Sequence, residues 1–109
     1  MGTTVIKITG IDNSGNLTMD NNGNATVDVN DTVKWQIQPQ SGVASISITP
    51  GSPNIWIPGD PQPDQGSQGN WKGVISSSSN NLSEDYTITG WPASGGKPII
   101  HDPKISVNP

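Results

Sequence analysis

Cysteine, arginine and phenylalanine are all absent from this chain of 109 residues. Without cysteine there is no disulfide, no thiolate ligand and no cysteine nucleophile, and the redox compartment stays open. Five lysines stand against nine acidic residues, for a net charge of -4. Nucleic-acid binding draws on a basic face rich in Arg and Lys, so no nucleic-acid partner is expected. A membrane-surface role is disfavoured on the same ground. No apolar run approaches the length of a transmembrane helix or of a signal-peptide core. Met1-Gly2-Thr3-Thr4 leads almost directly into strand-like sequence, which reads as an intracellular protein or a trimmed chain and assigns no compartment.

Charge and hydrophobicity are both scarce, at 13% and 29% of residues, and mean hydropathy is -0.48. A solvated coil would carry its polarity as charge. Here it comes from Asn, Ser, Thr, Gln and Gly, the residues of turns and of the outer faces of strands. Ten prolines and thirteen glycines argue against long helices. The length suits one domain, residues 1–109, with one modest core.

Alternation then marks the strands. Ile6 and Ile8 share one face of an opening strand, and Leu17-Thr18-Met19 follows the turn signal Asp12-Asn13-Ser14-Gly15-Asn16. Ala25, Val27 and Val29 alternate with polar residues, as do Val33, Trp35 and Ile37 from Thr32 to Gln38. Ala44, Ile46 and Ile48 repeat the pattern. Trp71 to Ser77, the run around Tyr86, Ile88 and Gly90, and Lys104 to Val107 with Ile105 and Val107 inward complete it. Residues 58–70, "PGDPQPDQGSQGN", read as a long loop with no apolar residue beyond its prolines, a length usually associated with function or mobility. Seven to nine short strands with no helical period predict an all-β fold, an antiparallel two-sheet sandwich.

Three segments resemble the cupredoxin-like Greek-key sandwich. "VNDTVKW", residues 29–35, is similar to that family's "GDTVTW" strand, with Asn30 where glycine is usual. "ASISI" falls where its next strand would begin, and "DYTITGW" with the terminal "DPKISVNP" is similar to the strands flanking its metal loop. An immunoglobulin-like sandwich carries a comparable strand pattern, although the Cys…Trp…Cys signature of its true members is missing. The resemblance implies the architecture and also locates a copper site that can be checked. Blue copper needs two imidazoles, a thiolate and a weak axial ligand. The first histidine would fall near Ala44 or Ser45, and the thiolate in the Pro92–Pro98 loop. His101 is the only imidazole and Met1 and Met19 are the only methionines, so no metal or cofactor is expected.

Other constellations compete with plainer readings. Asp20, Asn22, Asn24, Asp28 and Asp31 fall at positions one, three, five, nine and twelve of a calcium loop. Ala25 stands where that loop needs glycine, and Ala25–Val29 calls for extended backbone, so two tight turns are the simpler account. His101 and Asp102, as strand neighbours, point to opposite faces and make no dyad. Gly-x-Ser-x-Gly and Ser-x-x-Lys are both missing, and nothing marks Glu84 and Asp85 as facing carboxylates. No catalytic residue is therefore assigned and the chain is not expected to be an enzyme.

The tryptophans carry more. Trp35 reads as core. Trp56, Trp71 and Trp91 border turn-rich segments, with Trp91 outward if Tyr86 and Ile88 point in. Exposed indoles on a polar sandwich suit a carbohydrate ligand, whereas buried ones would seal a core without phenylalanine, each N–H finding a partner. The expected function is a non-catalytic, metal-free binding or interaction module whose protein or carbohydrate partner meets residues 39–43, 58–70 and 92–98. The alternative is a carbohydrate-binding module using Trp56, Trp71 and Trp91.

Overall fold

A computed structural model describes residues 2–64 and 69–109; residues 65–68 of the expected 58–70 loop, and Met1, lie outside the described residues. The chain is all-β. Its strands are β1 (Thr3–Ile11), β2 (Leu17–Met19), β3 (Ala25–Val27), β4 (Thr32–Ile37), β5 (Val43–Thr49), β6 (Gln62–Pro63), β7 (Trp71–Val74), β8 (Ser83–Asp85), β9 (Thr87–Pro92), β10 (Ile99–His101) and β11 (Lys104–Val107).

They form three open sheets, in the orders β2-β1-β4-β7-β6, β10-β9-β5 and β3-β11-β8. Three sheets stand where two were expected, and the first and third are mixed while the second is wholly antiparallel, which departs from the expected antiparallel pairing. β1 runs parallel to β4 with Ile6 beside Trp35, and β3 runs parallel to β11 with Val27 beside Val107. Alternation assigns faces and carries no information on strand direction, so the parallel pairs were invisible to it.

The two three-stranded sheets share one register. Ile99 faces Gly90 and His101 faces Ile88; further along, Lys104 faces Asp85 and Ser106 faces Ser83 with no slip. Between them Pro103, which has no N–H to give, still accepts from the Tyr86 amide at 3.0 Å. The division between β10 and β11, and between β8 and β9, is thus an interruption of hydrogen bonding around Pro103 within one aligned ladder.

One buried cluster joins all three sheets. Ile6, Ile8, Val33 and Trp35 enter from the first, Ile46, Ile48 and Ile88 from the second, and Val27, Ile105 and Val107 from the third. These are the residues that alternation placed inward. Two close approaches depend on glycine. A Cβ on Gly73 would come within 2.8 Å of the Trp56 ring, and one on Gly51 would fall 1.7 Å from the Asp85 carbonyl oxygen. Gly73 therefore lets Trp56 lie against β7, and Gly51 lets the chain after β5 pass β8.

The 58–70 segment is more tied down at its ends than its composition suggested. Gln62 and Pro63 pair with Lys72 and Trp71, and Asp60 accepts the Val74 amide at 2.9 Å. Asp64 N–H donates to the Asn70 carbonyl at 2.8 Å.

Candidate functional site

The 38–43 turn, the start of the 92–98 loop and Gly69-Asn70 come together at one end of the molecule. The turn after β4 doubles back through Gln40 and Gly42, both in the left-handed region at φ 64° and 81°. Ser41 N–H donates to the Gln38 carbonyl at 3.2 Å, and Ser41 Oγ accepts from Val43 N at 3.2 Å, which stiffens this turn. Ala93 N–H then donates to the Gly42 carbonyl at 2.8 Å, joining the 92–98 loop to it. From the third side Asn70 Oδ1 accepts the Ile37 amide at 2.9 Å. A shallow open depression results, lined by Gln38–Ala44 together with Ile37, Gly69 and Ala93.

The three candidate tryptophans do not converge on it. Trp56 is 4% exposed, bridges to Ile75, and offers no face to solvent. Trp71 stands half-buried in β7 beside the fully buried Trp35 and packs against the core. Trp91 alone is presented, 39% exposed on the outer face of β9 opposite Ser45, the orientation alternation predicts. Around it lie Ser45, Ser47, Thr87 and Thr89, and Ile100, 66% exposed, is paired with Thr89.

Trp56 is buried with a partner that the sequence reading passed over. Its indole N–H donates to Glu84 Oε1 at 2.7 Å, and Glu84 is 0% exposed. Glu84 Oε2 also accepts the Ile55 amide at 3.4 Å, and the Gly51 amide donates to the same carboxylate. Burial pushes the Glu84 pKa up from its ordinary value of 4.5, opposed by these three donors. The missed signal was present, since Glu84 occupies the same alternating face as Tyr86, Ile88 and Gly90.

Tyr86 continues the buried polar set. Trp35 Nε1 donates to Tyr86 Oη at 3.1 Å, and Tyr86 O–H donates to the Gly23 carbonyl at 2.5 Å. Burial raises the Tyr86 pKa above its ordinary value, with a further upward push from the Glu84 charge. The Trp35 ring contacts Trp56 and Tyr86 in tilted geometry at centroid distances of 5.6 and 5.5 Å. Among the described residues no buried side-chain polar atom lacks a partner, so the aromatic core is closed and offers nothing to a ligand.

The remaining titratable candidates are structural. His101 Nε2 lies 2.5 Å from the Asn22 carbonyl, a contact that requires the Nε2–H tautomer, while Asp102 accepts from Thr87 Oγ1 at 2.8 Å. The pair makes no dyad. In the calcium-like stretch, Asp20 accepts the Lys7 amide, Asn24 accepts the Lys104 amide, and Asp31 accepts from Gly2 and Asp28. Those two amides lower the Asp31 pKa below its ordinary 3.8. These three side chains are spent on different stretches of backbone, Asp28 Oδ1 accepts from the Asn108 side-chain amide, and among the described residues no three acidic or imidazole groups gather. Copper does not fit either. The end where the resemblance would put it presents Ala44 and Ala93, Ser45 lies on the sheet face beside Trp91, none of the three carries a donor suited to copper, and His101 is bound elsewhere.

No protein-family model and no curated protein matches this chain.

One electrostatic feature was not legible in the sequence. Lys34 lies directly opposite Lys72, and Lys7 sits two residues off Lys34's level on the neighbouring strand. With Val33 and Trp35 buried, all three point outward from the five-stranded sheet. Three of the five lysines thus share one face of an acidic protein, with Asp64 4.0 Å from Lys72.

Proposed function

We propose that this chain is a cupredoxin-like two-sheet sandwich without the copper chemistry, acting as a non-catalytic binding or interaction module. The unbroken register through Pro103 supports the two-sheet description, because it lets β5, β8–β11 and β3 act as one layer over the five-stranded sheet. The family likeness rests on the sequence segments and on this layering.

The observation that carries the functional reading is the depression between the 38–43 turn, Gly69 and Ala93. It is made by loops that bond to each other, so a partner meets a preformed surface and little ordering entropy opposes binding. Its lining is amide, hydroxyl and small apolar groups with no charge, which suits a neutral polar ligand or a protein loop.

A carbohydrate-binding module is the second reading, favoured by Trp91. A ring lying on a sheet face between rows of Ser and Thr hydroxyls can stack a sugar while the hydroxyls bond to it. Trp56 has no part in such a platform, and Trp71, half-buried against the core in the five-stranded sheet, does not join it.

A glycan array read with intrinsic Trp fluorescence tests both, using wild type beside Gln40→Arg and Trp91→Ala. Binding that Gln40→Arg abolishes and Trp91→Ala preserves is the result expected for the loop end. Loss in Trp91→Ala alone moves the site to the sheet face. Binding that neither substitution touches rejects both surfaces.

A further inference from the structure

Among the described residues the three sheets have six edge strands, and five of them are short. β2, β3, β8 and β10 have three residues each, and β6 has two. Several carry further protection: β6 ends in Pro63, β8 ends in Glu84-Asp85, and Asp102-Pro103 follows β10. Short length, charge and proline are the usual means by which an edge is kept from pairing with another chain.

β5 lacks the short length and the charge, and its one such feature is Pro50, which follows the strand. It runs seven residues, "VASISIT", and pairs only with β9. No charged residue occurs anywhere between Lys34 and Asp60. A bulge at Ala44 disturbs one end and leaves Ser45–Thr49 as the straight part. Among the described residues, no hydrogen bond outside the pairing with β9 reaches the backbone of Ser45–Thr49. Alternate backbone groups on the far side of this strand are therefore free to bond outward.

We infer that the β5 edge is a homodimer interface, in which two copies pair antiparallel through Ser45–Thr49 about a two-fold axis at Ser47. Several features select a second copy as the occupant. Antiparallel pairing of identical strands is self-complementary and closes as an isologous dimer. Ser45 would face Thr49 of the partner subunit, keeping the hydroxyl row outside, while Ile46 and Ile48 continue the buried row on the inner side. Two chains of net charge -4 repel over most of their surfaces. The uncharged 35–59 stretch lets them meet without setting carboxylates against one another. About 17 Å of paired strand makes a small interface, so the dimer belongs to the weak, concentration-dependent class.

Sedimentation velocity over a wide concentration range tests this with wild type, Ser47→Lys and, as a surface control, Ser14→Lys. Wild type and Ser14→Lys are expected to associate as concentration rises, and Ser47→Lys to associate at least about tenfold more weakly, because it sets two ammonium groups side by side at the axis. A chain without cysteine also allows single-thiol reporting that needs no added charge. Ser47→Cys is expected to form an intermolecular disulfide under mild oxidation much faster than Ser14→Cys, since Cα atoms paired across a two-fold lie within disulfide range. A wild type that stays monomeric at every concentration overturns the inference. So does association that Ser47→Lys leaves unchanged, or equal crosslinking of the two cysteine variants.

Discussion

Glu84 accepts the indole N–H of Trp56 at 2.7 Å inside the core, with no cation beside it among the described residues. A carboxylate held there by neutral donors is costly to ionise, and its pKa lies above the ordinary 4.5. Because the folded value is the higher one, the stability that Glu84 contributes is fully present below about pH 4.5 and is lost as pH rises through the folded pKa. Asp31 has the opposite sign, its contribution being present above about 3.8 and lost as pH falls through its depressed folded value. Thermal unfolding against pH should separate them. The wild-type advantage over Glu84→Gln shrinks from pH 4.5 toward neutral, while the advantage over Asp31→Asn shrinks on the acid side. Parallel curves for wild type and Glu84→Gln would remove the argument for a desolvated carboxylate.

Tyr86→Phe deletes one hydroxyl and leaves two buried groups without partners, Trp35 Nε1–H and the Gly23 carbonyl. The expected loss is about 1–3 kcal/mol by denaturant unfolding, with the fold retained. A neutral result would mean that water reaches both groups.

Gly51→Ala drives a methyl group into the Asp85 carbonyl, whereas Gly10→Ala meets the Thr18 hydroxyl at 3.3 Å and the Ser41 carbonyl at an ordinary 3.6 Å. The first should cost at least about 2 kcal/mol or prevent folding, and the second less than about 1 kcal/mol. Comparable stability for the two variants would show that the 50–55 segment can move away from β8.

Lys34→Glu replaces a like-charge pair on adjacent strands by an opposite-charge pair with Lys72. A gain of about 0.2–1 kcal/mol is expected at low ionic strength. The gain should fade as salt is added, because the pair lies at the surface. A loss at low salt would indicate that Lys34 is held by something other than its neighbour.

Alternation found most of the core because, Val5 beside Ile6 excepted, each inward residue had a polar neighbour on either side: Ile6 and Ile8, Val33 and Trp35, Ile46 and Ile48, Ile105 and Val107 are all buried. It could not find pairing direction, since a period of two is the same for parallel and antiparallel ladders, and β1 beside β4 went unforeseen. Glu84 was missed because its charge outweighed its position in the pattern, although the three donors around it belong to segments 28 to 33 residues away in sequence. The lysine face was hidden for a similar reason: Lys7, Lys34 and Lys72 meet only once the register of three strands is known. For the candidate site, the nearness of the expected 39–43 and 92–98 loops, joined by the Ala93–Gly42 bond, and the outward turn of Trp91 were legible, whereas the burial of Trp56 depends on Gly73 and Glu84 together.

β11 occupies the middle of its sheet, with β3 on one side and β8 on the other, and Lys104 N–H bonds to a side chain 80 residues earlier. These residues leave the ribosome after the other ten strands. Until they emerge, β3 and β8 have no common neighbour, and the apolar side of the nascent chain that Ile105 and Val107 will cover stays uncovered. Assembly of this sheet thus waits on the strand translated after the others, and removing β11 would take away the centre of a sheet, not its margin.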